Sequence, residues 1–232
     1  MGSVEIIPNV YQLTIRGVNI TVIAEEELTL IDTGFRGSSP RVINFIHSLG
    51  RSVREISLIL ITHHHPDHIG SLVEFRKFAP QAEVAIHEAD LSLDSQLLLP
   101  KVIRTVLHFP LFSALEPLLN PKLGEVTLKL KGGEVLRPLG TLKVIHTPGH
   151  TPGSISLFSP QRKLLIVGDT INSRYRNLRL PPKSVSSSLS QAINSIAALA
   201  QLDFEILCCG HGKPLTQDAK AKVQKLIKEH HP

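Results

Sequence analysis

The chain has 232 residues, enough for one sizeable domain that buries its own core without disulfides or structural metals. Apolar residues make up 42% of the chain and charged residues 19%, proportions that exclude a disordered or repeat protein. The net charge of +5 permits anionic substrates but is too small to indicate a nucleic-acid partner. The amino terminus lacks the basic and apolar regions of a signal peptide, and the two cysteines are adjacent in sequence. We therefore expect a cytoplasmic protein without structural disulfides.

The first ninety residues alternate predicted strands and helices. Ser39 and Pro40 suit a helix start, with Ser39 as the cap, and Gly50 suits its end. Gly17 separates two stretches of β structure, the second of which leads into Asp32. The predicted strands are at 4–16, 18–31, 57–61 and 82–86, and the predicted helices are at 39–49 and 71–78.

A dense cluster of potential metal ligands follows the predicted strand at 57–61. Residues 63–68 are His-His-His-Pro-Asp-His, and imidazole and carboxylate groups suit divalent metals such as zinc. Side chains two apart in an extended segment project to the same side, so His63 and His65 can bind one ion together. Asp67 and His68, after a turn, can reach a second ion. The alternative, a solvated histidine-rich loop, does not fit a tract that directly follows a core strand.

Residues 94–121 interrupt the alternation with a stretch rich in leucine and valine. Pro100, Pro110 and several charges divide it, so we predict no transmembrane helix there. On a helix, its consecutive apolar residues would cover more than the single stripe that faces a core. We predict a helical insert that forms a lid, with Phe109 and Phe112 as candidate contacts to an apolar part of the substrate. An extra core helix and a homodimer face are the alternatives.

The second half of the chain returns to strands before it ends in helices. Gly132 and Gly133 form a predicted turn, and residues 154–167 form a predicted hairpin around Pro160. Thr216 is predicted to cap the last helix. The predicted strands are at 125–131, 134–145, 154–158, 163–167 and 204–208, and the first of the two helices is at 189–200.

Three further potential ligands lie in loops of the second half. His150 lies between two Pro-Gly pairs, which are typical of tight turns, while Asp169 and His211 each follow an apolar run. Together with residues 63–68, this ordered set resembles the metallo-β-lactamase superfamily of hydrolases, whose motif is His-x-His-x-Asp-His followed by a lone His, a lone Asp and a final His. The matching positions extend from Asp32 to His211, which is most of the chain.

The resemblance implies a fold and a ligand set. The fold would be an αββα sandwich, an α/β architecture, with residues 1–232 as a single domain that carries the insert. One ion would be bound by His63, His65 and His150, and the other by Asp67, His68 and His211, with Asp169 bridging the two. Asp32 would support the metal loop, or act only as a turn residue. We predict two divalent ions, zinc with iron or manganese as alternatives, and a bridging hydroxide as nucleophile, with Asp67 and Asp169 as catalytic carboxylates.

Other histidines and the cysteines are expected to be structural. We interpret His64 and His87 as non-ligands, and His146 as a strand residue that supports the turn at His150. Cys208 and Cys209 are interpreted as small core residues on the strand before Gly210.

The bridging aspartate favours the glyoxalase II-like and lactonase-like branch, because typical antibiotic-degrading members lack it. One helix follows His211, so we do not expect the carboxy-terminal substrate domain of glyoxalase II. Lactonases often carry a Tyr three residues after the bridging Asp, where this chain has Asn172, and Tyr175 is the nearest Tyr. The loop at 174–179 is basic, and Arg174 could bind a carboxylate or phosphate or remain solvated. Asn172, Arg174 and Tyr175 are therefore candidate substrate contacts.

We predict a dinuclear metal-dependent hydrolase that cleaves an ester, thioester or lactone with an apolar portion. The alternatives are a phosphodiesterase that uses the same metals, a sulfur dioxygenase with a single iron, and an inactive binding protein on the same fold. The complete ligand set argues against the inactive protein. We expect a small-molecule substrate, no nucleic-acid partner and no transmembrane segment, and we leave a homodimer open.

Overall fold

Short apolar runs of the sequence become strands of two main sheets, in a computed structural model that describes residues 2–91, 126–174 and 177–230 (for Arg174 the backbone alone). The strands are β1 (Gly2–Ile7), β2 (Val10–Ile15), β3 (Val18–Ala24), β4 (Leu28–Ile31), β5 (Ile56–Leu60), β6 (Glu83–His87), β7 (Leu128–Leu130), β8 (Val135–Leu136), β9 (Leu142–His146), β10 (Ile155–Ser159), β11 (Leu164–Ile166), β12 (Asn172–Arg174), β13 (Asn177–Arg179) and β14 (Ile206–Cys208). The α-helices within these residues are α1 (Ser39–Ser48), α2 (Pro66–Ile69), α3 (Leu72–Phe78), α4 (Leu189–Leu199) and α5 (Ala219–His230). Single 3-10 turns cover Val53–Glu55, Glu88–Asp90 and Lys183–Val185.

The first sheet has seven strands in the order β1-β2-β3-β4-β5-β6-β7. Strands β1 to β4 pair antiparallel, and β4 to β7 pair parallel. Every residue of β4 is buried, as expected for a strand that is covered on both faces of its sheet.

The second sheet has five strands in the order β14-β11-β10-β9-β8. Strands β10 and β11 form the hairpin that the sequence predicts, and β11 pairs parallel with β14. Because β9 and β11 are both antiparallel to β10, strands β9, β11 and β14 run in the same direction. The loops that follow these three strands therefore lie at one edge of the sheet.

Three apolar clusters define the layers. One joins the outer face of the first sheet to α1 and α3, for example through Ile46 and Phe75. A second lies between the two sheets, and a third joins the second sheet to α4 and α5. This is the predicted αββα sandwich. Cys208 belongs to the middle cluster and Cys209 to the outer one, and both are buried free thiols, so their interpretation as core residues is confirmed.

Several predicted strands are too long. The stretch 4–16 is divided between β1 and β2 at Asn9, which has a positive φ of 67°, and the stretch 18–31 is divided between β3 and β4. The stretch 134–145 is divided between β8 and β9, because Leu139 and Gly140 both adopt positive φ and reverse the chain. Turn residues inside an apolar pattern explain these errors.

Two predicted caps are also wrong. Ser38 is the cap residue of α1, and the Ser39 hydroxyl bonds to Glu74 of α3 instead. Helix α5 begins at Ala219, three residues after Thr216, so Thr216 does not cap it. Of the predicted basic loop at 174–179, the described residues belong to strands, since Arg174 ends β12 and 177–179 form β13 of a two-stranded sheet. The predicted insert at 94–121 lies outside the described residues.

Candidate metal centre

The histidine-rich motif follows β5 at the edge where that strand ends. His63 and His65 lie on the extended segment after the strand, whereas Asp67 and His68 lie in the one-turn helix α2, which sequence reasoning missed. Pro66 occupies the first helical position, where its lack of an N–H has no cost. The extended-to-helical change therefore separates the four side chains into two pairs.

The first pair meets His150, which lies in the loop after β9. One nitrogen from each of His63, His65 and His150 lies within 4.8 Å of the others. The ring centroid of His65 is 4.5 Å from that of His150, and all three side chains are buried. We refer to these three residues as the imidazole group.

The second pair meets His211, which lies in the loop after β14. The Nε2 atom of His211 lies 3.5 Å from Asp67 Oδ2, and the Nε2 atom of His68 lies 3.6 Å from the same oxygen. His68 is fully buried, while the side chains of Asp67 and His211 are each 23% exposed. We refer to Asp67, His68 and His211 as the mixed group. Because the side chains of Asp67 and His211 are partly exposed, the mixed group forms the solvent-facing side of the cluster.

Asp169, after β11, lies between the two groups. Its Oδ2 atom is 3.6 Å from His150 Nε2 and 3.2 Å from His211 Nε2, and its Oδ1 atom is 3.5 Å from His68 Nε2. Gly210 makes this approach possible, because a Cβ there would overlap Asp169 Oδ1 and lie 2.7 Å from His68 Cε1. The sequence-predicted ligands are thus brought together at one end of the sandwich.

Five buried polar atoms of this cluster have no hydrogen-bond partner among the described residues. They are the Nε2 atoms of His63, His65, His68 and His150, and Oδ1 of Asp169. Buried polar atoms without partners are rare and costly in native proteins, so a converging set of them indicates a missing partner. Imidazole nitrogens and a carboxylate oxygen are the ligands that zinc and related divalent metals prefer. The donor set therefore fits divalent metal ions.

The opposite nitrogens of four rings are bonded to the protein. His68 Nδ1 lies 2.8 Å from Asp32 Oδ2, His211 Nδ1 lies 2.8 Å from the Gly17 carbonyl oxygen, and His150 Nδ1 lies 3.2 Å from Ser186 Oγ. His63 Nδ1 lies 3.0 Å from Thr62 Oγ1. Such bonds direct each Nε2 atom toward the cluster.

Asp32 is more than a turn residue. Besides contacting His68, its carboxylate accepts hydrogen bonds from the backbone N–H and the hydroxyl of Thr62, both at 2.8 Å. It is buried and has a positive φ of 61°, uncommon for a residue other than glycine. The supporting role that the family resemblance implied for Asp32 agrees with this geometry.

The imidazole group favours the neutral form of its members. Burial, followed by the nearby His68, His65 and His150 rings, holds the pKa of His63 well below 6.5. Burial likewise lowers the pKa of His65 to about 3 and that of His150 to about 4. Neutral imidazoles are the form that binds metal.

The surroundings of the mixed group favour the charged forms of its histidines and carboxylates. Burial opposes the charged form of His68, but the carboxylates of Asp32 and Asp169 outweigh it and raise the pKa to about 9. For His211, hydrogen bonds to Asp169 and Asp67 outweigh burial and raise the pKa to about 10. Burial favours neutral carboxyls in Asp67 and Asp169, yet the same histidines hold both pKa values below the ordinary range.

One buried carboxylate near the cluster was missed by sequence reasoning. Asp90, in the 3-10 turn after β6, is fully buried and contacts residues of both histidine-bearing loops. Burial alone would raise its pKa, but contacts with His64, Thr151 and Gly153 lower it. Its only sequence signal is a carboxylate shortly after a predicted strand, which does not distinguish it from a surface turn residue.

The candidate substrate residues are only partly described. Asn172 is buried on β12, three residues after Asp169, and its Oδ1 atom lacks a partner within the described part of the chain. For Arg174 only the backbone is described, and Tyr175, Phe109 and Phe112 lie outside the described residues. His146 supports the His150 loop as predicted, with its Nε2 atom 2.8 Å from the Pro152 carbonyl oxygen.

Comparison with known proteins identifies the family. The family model of the metallo-beta-lactamase superfamily matches residues 13–211, and the chain belongs to that superfamily. The uncharacterized protein YobT of Bacillus subtilis (strain 168) is 32% identical over 223 residues, which cover 91% of this chain and 90% of YobT. The probable metallo-hydrolase YflN of the same organism is 27% identical over 228 residues, covering 89% and 85% of the two chains.

A more distant relative is the hydroxyacylglutathione hydrolase of Bartonella quintana (strain Toulouse). It is 30% identical over 158 residues, 67% of this chain, and the match spans 49% of that protein. Among solved structures, a metallo-beta-lactamase family protein of Thermus thermophilus has a TM-score of 0.71 at 24% identity, with 97% of this chain and 80% of that chain covered. This similarity confirms the fold.

Within residues 2–91, 126–174 and 177–230, no helix has the length and apolar character needed to span a membrane.

Proposed function

We propose that this protein is a metal-dependent hydrolase that uses two divalent ions to cleave an ester, thioester or lactone. The observation that carries the proposal is the set of five buried ligand-type atoms that converge without a protein partner among the described residues. A catalytic zinc ion requires about three protein ligands and an open position. The imidazole group and the mixed group each offer three side chains, and Asp169 contacts both.

In this proposal the imidazole group binds one ion and the mixed group binds the other, with Asp169 shared. Zinc is the metal we favour, with iron or manganese as alternatives, because imidazole-rich sites suit several of these metals. Bound divalent ions would lower the pKa of a water molecule and polarise the scissile carbonyl oxygen.

The chain's own residues would position the reactants. The Asp67 carboxylate is ionised, lies on the solvent-facing side and can accept a proton from an attacking water molecule. Substrate would approach past Asp67 and His211, since the rest of the cluster is buried. Asn172, whose buried Oδ1 atom lacks a described partner, could accept a hydrogen bond from the substrate. Arg174, Tyr175, Phe109 and Phe112 remain candidate contacts.

The names of two relatives support hydrolysis. YflN is described as a probable metallo-hydrolase, and it matches this chain over 85% of its own length. The hydroxyacylglutathione hydrolase supports a thioester, because an acyl group joined to the glutathione thiol is one, but the match covers only about half of that protein.

The first experiment measures metal content. Protein purified without chelator is analysed for bound elements, and we expect about two divalent ions per chain because each needs about three protein ligands. A reproducible content near zero, without recovery on adding zinc, manganese or iron, would refute the proposal. A single iron per chain would favour the sulfur dioxygenase.

The second experiment compares substrates on one metal-replete preparation. A panel of lactones, thioesters, simple esters and phosphodiesters is assayed, and the first three classes should turn over faster than the last. Preference for phosphodiesters would overturn the substrate class. The predicted lid is tested on an acyl-chain series, in which each CH₂ buried by the protein should raise kcat/KM by up to about fourfold. The Phe109→Ser, Phe112→Ser double variant should lose that dependence and retain hydrolysis of a short ester.

A further inference from the structure

Asp90 joins the two loops that carry the imidazole group. Its Oδ2 atom accepts a hydrogen bond from the His64 backbone N–H at 3.0 Å and from the Thr151 hydroxyl at 2.8 Å. Its Oδ1 atom accepts one from the Gly153 backbone N–H at 2.6 Å. His64 lies between two members of the imidazole group, and Thr151 directly follows the third. One buried side chain therefore connects two loops that are distant in the sequence.

We propose that Asp90 is a positioning residue that holds the loop of His63 and His65 at a defined distance from His150, and so sets the geometry of the first metal site. This inference rests on the proposed metal-binding function. It assigns Asp90 a role at the imidazole group alone, because its three hydrogen bonds are made with residues in the loops of that group.

The three contacts require a carboxylate. An ionised carboxylate only accepts hydrogen bonds, whereas an amide presents an oxygen on one side and an NH₂ on the other. In Asp90→Asn, one orientation places the NH₂ against the Gly153 N–H and the other places it against the His64 N–H. Either orientation leaves two donors facing each other in a buried site, and one of the loops must shift.

Asp90 is closely packed against the loop that carries His150. A Cβ at Gly153 would lie 2.6 Å from the backbone N, Cγ and Oδ1 of Asp90, so the His150 loop can approach only because residue 153 lacks a side chain. The His64 ring adds a further contact, with Nδ1 at 3.1 Å from Asp90 Oδ2. His64 therefore has a structural use, consistent with its interpretation as a non-ligand.

The test isolates each metal site by removing one ligand of the other. His211→Ala leaves only the imidazole group complete, and His150→Ala leaves only the mixed group complete. Zinc dissociation constants are measured in both backgrounds, with and without Asp90→Asn, by competition with a chromophoric chelator. In the His211→Ala background we expect Asp90→Asn to weaken zinc binding roughly 10- to 100-fold, as loss of a ligand-orienting partner does. In the His150→Ala background we expect no change.

Three further variants control the test. Asp203→Asn makes the same chemical change at an exposed carboxylate, which pairs with Lys163, and should leave zinc binding unchanged. If Asp90→Asn does not fold, Thr151→Val removes one of the three bonds and should weaken zinc binding in the His211→Ala background, while Thr151→Ser should restore it.

The outcomes separate this inference from the proposed function. Equal weakening in both backgrounds, or unchanged binding in the His211→Ala background, would show that Asp90 does not position the imidazole group. If the unsubstituted protein binds no zinc, manganese or iron, the proposed function itself is wrong.

Discussion

The imidazole group and the mixed group use similar ligands but differ in charge and exposure. His63, His65 and His150 are buried among one another, and their pKa values are lowered. His68 and His211 lie beside carboxylates, and their pKa values are raised. The same side chain therefore acquires opposite protonation preferences within one site, because desolvation dominates in one group and ion pairing in the other.

This difference has a consequence for metal binding. The imidazole group is neutral and buried before any ion arrives, so it is ready to coordinate. The histidines of the mixed group lie beside carboxylates that favour their protonated forms, so an ion must displace protons from them. The mixed group also faces solvent, which places the substrate-facing side of the proposed centre at Asp67 and His211. The largest effect expected from this asymmetry concerns Asp169, which both groups contact.

Asp169→Asn should weaken metal binding by both the imidazole group and the mixed group. Asp169 contacts His150 on one side and His68 and His211 on the other, so loss of its charge affects each group. We expect zinc affinity to fall by more than about 100-fold, beyond the range for residues that only orient a ligand. Competition with a chelator measures this loss. Asn172→Ala is the control and should retain both ions, and equal mild effects from the two changes would show that Asp169 is only a turn residue.

His150→Ala and His211→Ala should each leave one ion per chain, because each removes one of about three ligands. Their metal-free forms should differ in stability. His211→Ala leaves the buried carboxylate of Asp169 without a hydrogen-bonding cation, at a cost of about 1–3 kcal/mol. His150→Ala removes one neutral ring from a crowded set and should cost less at this site. Thermal unfolding of the chelated proteins measures the difference, and a more stable His211→Ala would contradict the charge assignment.

Zinc binding to the metal-free protein near neutral pH should release about two protons, because metal displaces them from charged ligands. That protons are released rather than taken up follows from the protonation states of the two groups before zinc binds. His68 and His211 are protonated below their pKa values of about 9 and 10, whereas the imidazole group is already neutral. Release should therefore decline as the pH rises through 9 and 10. Calorimetric titration in buffers of different ionisation enthalpy gives the proton count, and a count of zero at neutral pH would contradict the asymmetry.

Thr62→Val should have the smallest effect, and it should be shared by both groups. The Thr62 hydroxyl lies 2.8 Å from Asp32 Oδ2, the oxygen that also contacts His68 Nδ1. It lies 3.0 Å from His63 Nδ1 on the other side. Val has a similar shape but no hydroxyl, so we expect a loss of about 1 kcal/mol in the free energy of unfolding. Chemical denaturation measures it, with Thr62→Ser as the control. An unchanged free energy of unfolding in Thr62→Val would contradict this role of the hydroxyl.

Sequence patterns predicted the mixed succession of strands and helices, because the strands are short apolar runs and the helices carry one apolar face, whereas the αββα sandwich was implied by the family resemblance. The errors are local. A positive φ at Asn9 and at Leu139 breaks predicted strands, and no apolar pattern reports it. The one-turn helix α2 is too short to show helical periodicity, although it carries Asp67 and His68.

The sequence by itself determined which kinds of ligand are present and in what order, because residues 63–68 are contiguous and the lone His, Asp and His occupy recognisable turns. The tertiary structure decided how they are used. The parallel direction of β9, β11 and β14 brings His150, Asp169 and His211 to one edge. Asp90 meets Thr151 and Gly153 across 61 and 63 residues of sequence. Burial and charge at such contacts depend on neighbours that are distant in the chain, so only the folded molecule shows which histidines are neutral and which are charged.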